Sequence, residues 1–152
     1  MIKFDSVTNK VEKIQDNCLD MNYAYVVQVE QEMYAYKYEP SLVCYSNLTS
    51  GHIAKTEKAM PLTSRSFPIV SNFDNEFIFI GAGELSTQRL KSVDMYTIAN
   101  NTWMSAPELI NARDQSGSCT LNDYLYIFCG SKTHGDMNES VEVLNARKFI
   151  NG

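Results

Sequence analysis

Short apolar segments alternate with turn residues along the whole chain, a pattern that predicts β-strands rather than helices. The clearest segment, residues 76–80, is almost continuously apolar and aromatic, which favours a strand covered on both faces. Asp74 and Asn75 precede it with turn chemistry, and Gly81 and Gly83 follow it at a sharp exit. The pattern therefore predicts a hairpin whose second strand is buried.

A polar stretch at residues 84–91 separates this hairpin from a second predicted pair of strands. Residues 92–98 form the first strand of the pair, and a short segment around Trp103 forms the second. Pro107 ends the pair, because proline has no N–H to donate to a sheet. We therefore predict four short antiparallel strands within about 48 residues.

The same order of features returns 48 residues later in the chain. The matching positions are Arg65 with Arg113, Asp74 with Asn122, Asn75 with Asp123, residues 77–80 with 125–128, and residues 92–95 with 140–143. A constant period in this range predicts a repeat architecture, in which similar units stack and bury a shared core.

We interpret residues 1–152 as a single domain that holds a partial array of such units. Residues 65–112 form the complete unit, and residues 113–152 form a truncated unit whose fourth strand starts at residues 148–150. Residues 17–64 form a degenerate unit with strands near 22–29, 32–38, 41–46 and 52–58, and residues 1–16 form the end of a preceding unit. Because the chain starts and stops inside units, we expect a longer protein around it.

The complete unit resembles a kelch repeat. In that family an apolar strand ends at a glycine pair, and a tyrosine and a tryptophan follow with six residues between them. The residues that carry the resemblance are Gly81, Gly83, Tyr96, Trp103, Pro107, Arg113 and Gly130. The first unit departs from the pattern, since Tyr38 and Glu39 stand in place of the glycine pair. The resemblance covers residues 65–145 and extends to residues 1–64 in a degenerate form.

A kelch repeat implies a fold class: all-β, with consecutive four-stranded antiparallel blades of a kelch-type β-propeller. Such propellers close with about six blades, so about three blades imply an incomplete, unclosed array. By the same resemblance, Trp103 is a core residue between blades rather than a surface on which a ligand stacks. Further blades or self-association are then needed to cover the terminal blade faces.

Composition and charge exclude several classes of partner. The net charge of −5 gives no basic footprint for nucleic acid or for an anionic membrane surface. No run approaches the roughly 20 apolar residues of a membrane span, and no signal peptide precedes the first unit, so we expect a cytoplasmic protein. The four cysteines form no C-x-x-C pair, which favours reduced, buried thiols.

Candidate partner-binding residues lie at the unit junctions and in the polar loops. Arg65 and Arg113 have two interpretations: hydrogen bonding to neighbouring turn carbonyls, or facing an acidic partner. The loops at residues 83–91 and 132–138 join second and third strands, so they emerge on one rim. Their candidate contact residues are Arg89, Lys132, His134 and Asp136.

The chemistry of the chain favours a binding module over an enzyme. His52 and His134 lie in different units without a second ligand at metal spacing, and neither nucleophile-elbow nor phosphate-loop motifs occur. We therefore predict no catalytic residues, no metal and no cofactor. The hypothesis is a kelch-repeat scaffold that binds a protein through its loops; in that family, partners include ubiquitin-ligase substrates and cytoskeletal proteins. The alternatives are a fragment of a galactose-oxidase-like enzyme whose active residues lie outside this chain, or a truncated product.

Overall fold

The computed structural model describes residues 2–5, 10–13, 24–37, 41–47, 53–133 and 135–152, with side chains from residue 24 onward. The chain folds into antiparallel strands and one short helix. The first hairpin comprises β1 (Ile2–Asp5) and β2 (Lys10–Lys13). Blade 1 follows, with β3 (Ala24–Val29), β4 (Glu32–Lys37), β5 (Ser41–Ser46) and β6 (Ala54–Glu57) in sequential order across the sheet.

Blade 2 is a second four-stranded sheet. Its strands are β7 (Ile69–Phe73), β8 (Phe77–Gly81), β11 (Val93–Thr97) and β12 (Thr102–Ala106), again adjacent in chain order. Between β8 and β11 the chain forms a small hairpin of β9 (Glu84–Leu85) and β10 (Gln88–Arg89). The prediction of consecutive four-stranded antiparallel blades, unclosed at the ends, is confirmed.

Blade 3 is built in the same way with three strands and a helix. Its strands are β13 (Gly117–Leu121), β14 (Tyr124–Phe128) and β17 (Val141–Asn145), with the hairpin β15 (Ser131–Thr133) and β16 (Asp136–Met137) between the last two. The helix α1 (Ala146–Asn151) follows β17. In the part of the chain that the structure describes, β17 is the edge strand of this sheet.

Blade 2 is covered on both faces, as the continuous apolar run of β8 predicts. Alternate residues of this strand point to opposite faces. Ile78 and Ile80 pack with Tyr34 and Tyr36 of blade 1. Phe79 lies on the other face and packs, with Phe73 and Met95, against Leu125 and Ile127 of blade 3. The core is therefore a stack of sheets, and each blade is stabilised by its neighbours.

The first hairpin has the register expected for the last two strands of a preceding unit. Phe4 pairs with Val11 in the hairpin, and Tyr96 pairs with Trp103 in blade 2, so the same seven-residue separation closes both turns. A strand pair is therefore present here, and its assignment to the end of a preceding unit stays a prediction.

The strict period is wrong by one residue in the second strand. Blade 2 joins its first two strands through residues 74–76, whereas blade 3 uses residues 122–123. Ile78 and Ile80 therefore correspond to Leu125 and Ile127, and all four are at most 1% exposed. The predicted match of residues 77–80 with 125–128 would place the opposite face inward, because a one-residue shift exchanges the faces of a strand.

The same shift relocates the glycine pair. The corresponding residues are Ala82 with Cys129 and Gly83 with Gly130, and all four have positive φ, from 52° to 92°. Gly81 instead lies at the end of β8, where an added Cβ would come within 2.9 Å of Val93. Gly81 is thus a close-packing position, and the turn itself is made by the two residues after it.

The predicted fourth strand at residues 148–150 is wrong, because this segment forms α1. Asn145 caps the helix, its side chain accepting a hydrogen bond from the Lys148 amide at 2.9 Å. Arg147 forms ion pairs with Asp74 and Asp123 in the turns of blades 2 and 3. Phe149, with Ile150, packs against the core between these blades, so these apolar side chains are partly buried from a helix instead of a strand.

Trp103 joins blades 1 and 2. Its ring lies 5.1 Å from that of Tyr96, and its indole Nε1 donates a 2.8 Å hydrogen bond to the carbonyl of Ala59. The side chain is half-buried against the cluster between the two blades. It is therefore placed as an inter-blade residue.

The Trp103 side chain is expected to stabilise the fold both through its hydrogen bond and through its packing, and two substitutions separate these contributions. We expect Trp103→Phe to cost about 1 kcal/mol for the lost hydrogen bond, and Trp103→Ala about 3 kcal/mol because a cavity opens beside Tyr96. Urea unfolding followed by tyrosine fluorescence and circular dichroism measures both. Thr102→Ala, at an exposed position of the same strand, is the control. Equal stability of the alanine variant and the wild type would refute this role for Trp103.

Candidate partner-binding rim

The two small hairpins and the segments that enter the blades form one continuous edge of the molecule. We call this edge the rim and define it as residues 65–68, 83–91, 113–116, 130–133 and 135–138. Isolated bridges join Ser66 to Glu84, Leu90 to Arg113 and Asp114 to Ser131. The segment that enters blade 3 therefore lies between the two hairpins and holds them side by side, as expected for two loops on one rim.

Glycine is required where each hairpin leaves its blade. Gly83 has φ 89° and Gly130 has φ 92°, in the left-handed region that side chains disfavour. A Cβ on Gly83 would lie 2.5 Å from the carbonyl oxygen of Ser66, and one on Gly130 would lie 2.5 Å from that of Asp114. The close approach of the entering segment thus depends on the missing side chain.

Arg65 closes the base of the first hairpin from inside the blade. Its Nη1 donates to the carbonyls of Ala82 and Ser92, at 3.0 and 2.6 Å, which lie at the two ends of the hairpin. Its Nη2 forms a 2.6 Å ion pair with Asp94 in β11. We call this set of contacts the arginine clamp of blade 2.

Arg113 repeats the arrangement in blade 3. Its Nη1 donates to the carbonyls of Cys129 and Ser140 at 3.0 Å each, and its Nη2 donates to Glu142 at 2.5 Å. The Ser140 hydroxyl adds a 2.8 Å contact with the same nitrogen. The two clamps therefore fix both hairpins at the same place relative to their sheets.

The carboxylates of the two clamps have different surroundings. Burial raises the pKa of Asp94 despite the ion pair with Arg65. Burial alone would also raise the pKa of Glu142. There, hydrogen bonds from the amides of Ile110 and Asn111 and the charge of Arg113 outweigh burial and lower the pKa. The clamp of blade 3 thus also ties down the segment that follows β12.

The structure removes Arg65 and Arg113 from the set of partner-binding residues. Arg65 is 1% exposed and Arg113 is 0% exposed, so neither guanidinium is accessible to an acidic partner at the surface. Their geometry is that of the other interpretation, hydrogen bonding to turn carbonyls. The physical reason is that the paired carbonyls at each hairpin base point into the blade and need a buried donor.

The remaining candidates lie on the hairpins themselves. Arg89 is 18% exposed and forms ion pairs with Glu84 at 3.7 Å and Asp114 at 3.4 Å, so it holds the first hairpin against the entering segment. Lys132 and Asp136 are exposed on the second hairpin. His134 lies outside the described residues.

Sequence reasoning missed the apolar side chains of the rim. Phe67, Leu85 and Met137 are 44%, 44% and 64% exposed. Phe67 also has a φ of 50°, a conformation that is costly for an aromatic residue, and the corresponding Gln115 has a φ of 52°. The amide of Gln115 donates to the carbonyl of Phe67 at 3.2 Å. The repeat period could have revealed this, because it aligns Phe67 with the polar Gln115, and a polar counterpart is typical of an exposed position.

The described residues hold no group of three or more histidine, cysteine or acidic side chains that could bind a metal ion. Cys44 is buried as expected, whereas Cys119 and Cys129 are exposed, and Cys18 lies outside the described residues. The exposure of Cys119 and Cys129 corrects the prediction of uniformly buried thiols. Within the same described part of the chain, no helix is long and apolar enough to cross a membrane.

The successive four-stranded antiparallel sheets, unclosed at the ends, fit the fold of incomplete kelch-type propeller blades. The sequence is similar to a Kelch repeat and BTB domain-containing protein 2 of ectromelia virus (strain Moscow), with 29% identity over 75 residues. The match covers 45% of this chain and 13% of the viral protein, so the chain spans a small part of that relative. No protein-family model matches the chain.

Removing a clamp is expected to destabilise the fold strongly. We expect Arg65→Ala to cost about 3–5 kcal/mol, because it leaves two buried carbonyls without their donor and buried Asp94 without its counter-charge. Arg65→Lys should lose much of the same stability, since an ammonium group lacks the planar fork. Chemical unfolding measures both, and Lys132→Ala should change stability by less than about 0.5 kcal/mol. A loss below about 1 kcal/mol in both Arg65 variants would contradict the clamp.

The clamp of blade 3 should give a stability contribution that is lost in acid. The pKa of Glu142 is lowered from its ordinary value of 4.5 on folding, so its contribution is complete above that pH and lost as pH falls through the folded value. We expect the stability difference between wild type and Glu142→Gln to shrink between pH 7 and about pH 3. Urea titrations at both pH values test this, with exposed Glu139→Gln as the control. A difference that stays constant or grows in acid would be inconsistent with this linkage.

Proposed function

We propose that the chain is a protein-interaction scaffold that binds a protein partner through the rim. The observation that supports this most directly is the combination of fixed hairpins and exposed apolar side chains. Phe67, Leu85 and Met137 project from segments whose backbones are held by bridges and by the clamps. Pre-ordered apolar groups favour binding, because little conformational entropy remains to be lost when a partner covers them.

The polar part of the rim suits a protein partner better than nucleic acid. Lys132 and Asp136 lie on one hairpin with opposite charges, and Arg89 is balanced by Glu84 and Asp114. The chain as a whole carries a net charge of −5. Exposed apolar side chains together with mixed charges resemble a protein–protein interface, whereas nucleic-acid surfaces are dominated by basic residues. We place this binding in the cytoplasm as part of the same proposal.

We further propose that an additional blade covers the outer face of blade 3. Leu121, Tyr124, Val141 and Val143 are 59%, 38%, 51% and 53% exposed on that face. Their counterparts in blade 2 are Phe73, Phe77, Val93 and Met95, which pack in the core shared with blade 3. The repeat thus indicates that this face takes another sheet, of this chain's protein or of a second molecule.

Loss of rim contacts should abolish partner capture while the fold is retained. We expect proteins captured from a cytosolic extract by the wild type to be lost with Leu85→Ser combined with Met137→Ser. Met104→Ser, at an exposed position of β12 outside the rim, is the matched control and should capture the same proteins. Quantitative mass spectrometry of the captures gives the measurement, and circular dichroism confirms folding. Equal capture by the rim variant and the control would overturn the proposal.

A further inference from the structure

The segment that enters blade 3 lies between two neighbours on the rim. It bonds to its own hairpin through the bridge of Asp114 with Ser131, and to the hairpin of blade 2 on its other side. There the Arg113 amide donates to the Leu90 carbonyl at 3.2 Å, and the Gly83 amide donates to the Arg113 carbonyl at 2.8 Å. The hairpin of one blade therefore holds the entrance of the next.

The connection between the second and third strands of blade 1 is too short for such a hairpin. Residues 38–40 make this connection, whereas residues 82–92 make it in blade 2 and residues 129–140 in blade 3. Three residues are too few for a hairpin such as that of residues 84–89. On this side, the segment that enters blade 2, residues 65–68, is therefore held by other groups.

The Tyr36 hydroxyl supplies the bonds that a hairpin supplies at the next entrance. It accepts a 3.0 Å hydrogen bond from the Arg65 amide and donates to the Arg65 carbonyl at 3.3 Å, with the Thr63 carbonyl at 3.5 Å. A hydroxyl is both acceptor and donor, so it replaces the acceptor of Leu90 and the donor of Gly83 together. The Tyr36 side chain is 0% exposed, so water does not compete for these bonds.

Tyr25 adds a contact to the same segment. Tyr25 and Tyr36 are directly paired residues of β3 and β4, so their side chains lie on the same face of blade 1. Burial raises the pKa of Tyr25, and a hydrogen bond with the Phe67 backbone opposes this shift. Phe67 has a φ of 50°, a conformation that persists only where the surrounding groups fix the backbone. The two tyrosines are such groups.

We propose that Tyr36, with Tyr25 beside it, is a positioning residue of the partner-binding rim. The pair takes the place of a rim hairpin over blade 1 and fixes residues 65–68. The exposed Phe67 ring thereby keeps one orientation toward a protein partner. Tyr36 is buried and acts only through the backbone of this segment. The inference rests on the proposed function and deepens it, because it adds residues that shape the partner surface from inside blade 1.

Amide hydrogen exchange measured by nuclear magnetic resonance tests the role of the hydroxyl. In Tyr36→Phe we expect the Arg65 amide to exchange about tenfold faster relative to the Arg113 amide, because only the Arg65 amide loses its acceptor. Tyr34→Phe is the matched control. It removes a hydroxyl from the same strand that donates to Glu32 instead, so the two amides should keep their wild-type ratio.

The orientation of the Phe67 ring gives a second readout, which a purely structural role of Tyr36 would not move. With 4-fluorophenylalanine at position 67, we expect one sharp fluorine resonance in the otherwise unchanged protein. Tyr36→Phe and Tyr25→Phe should each shift or broaden this resonance, whereas Tyr34→Phe should retain it. Circular dichroism confirms that each variant is folded, and Tyr25→Phe keeps the test valid if Tyr36→Phe does not fold.

Two outcomes would overturn the proposal. The first is an Arg65 amide that exchanges no faster, relative to that of Arg113, in Tyr36→Phe than in Tyr34→Phe. The second is a fluorine resonance at position 67 that neither Tyr36→Phe nor Tyr25→Phe changes. Both measurements use the protein alone, so their failure is distinguishable from a failure of the proposed function, which the capture experiment tests.

Discussion

The buried arginine at the entrance of each blade is the interaction on which the rim depends. Each hairpin leaves its sheet at one carbonyl and returns near another, and both carbonyls point into the blade. A buried carbonyl without a donor costs about 1–3 kcal/mol, so two of them would open the hairpin base. One guanidinium satisfies both carbonyls and a carboxylate through its planar fork of donors, a geometry that the three donors of a lysine ammonium do not have. The repeat of Arg65 as Arg113 follows from this geometry.

The clamps also show how two equivalent sites diverge. The Asp94 side chain is short and buried, and its carboxylate forms an ion pair with Arg65 inside blade 2. Glu142 is one methylene longer, and its carboxylate reaches the amides of Ile110 and Asn111 as well as Arg113. The extra reach links blade 3 to the chain that leaves blade 2. The pKa values of the two acids shift in opposite directions because burial dominates at Asp94, whereas at Glu142 the hydrogen bonds from two amides and the charge of Arg113 outweigh burial.

The sequence predicted the blades well, because strand segments and turns are local signals. Their register was predicted less well. A single additional turn residue, Glu76, moves the second strand of blade 2 by one position, and a residue-by-residue comparison at fixed spacing cannot detect it. The helix after β17 was missed because Phe149 and Ile150 suit a strand equally well; capping by Asn145 and packing between blades decide the outcome. The sequence left the burial of Arg65 undecided, because the carbonyl groups to which it donates belong to residues that are far away in sequence.

Blades 2 and 3 differ in how many of their sheet faces are covered by a neighbouring sheet. This difference determines which apolar surfaces are available for an interaction. Blade 2 has sheets on both faces and a full set of four strands, so its apolar side chains are already buried. Blade 3 has the same inward face but exposes Leu121, Val141 and Val143 on the outward one. In a stack, each sheet owes much of its stability to its neighbours, so the terminal sheet opens most easily. A sheet that covers this outward face would therefore stabilise blade 3, and with it the second rim hairpin.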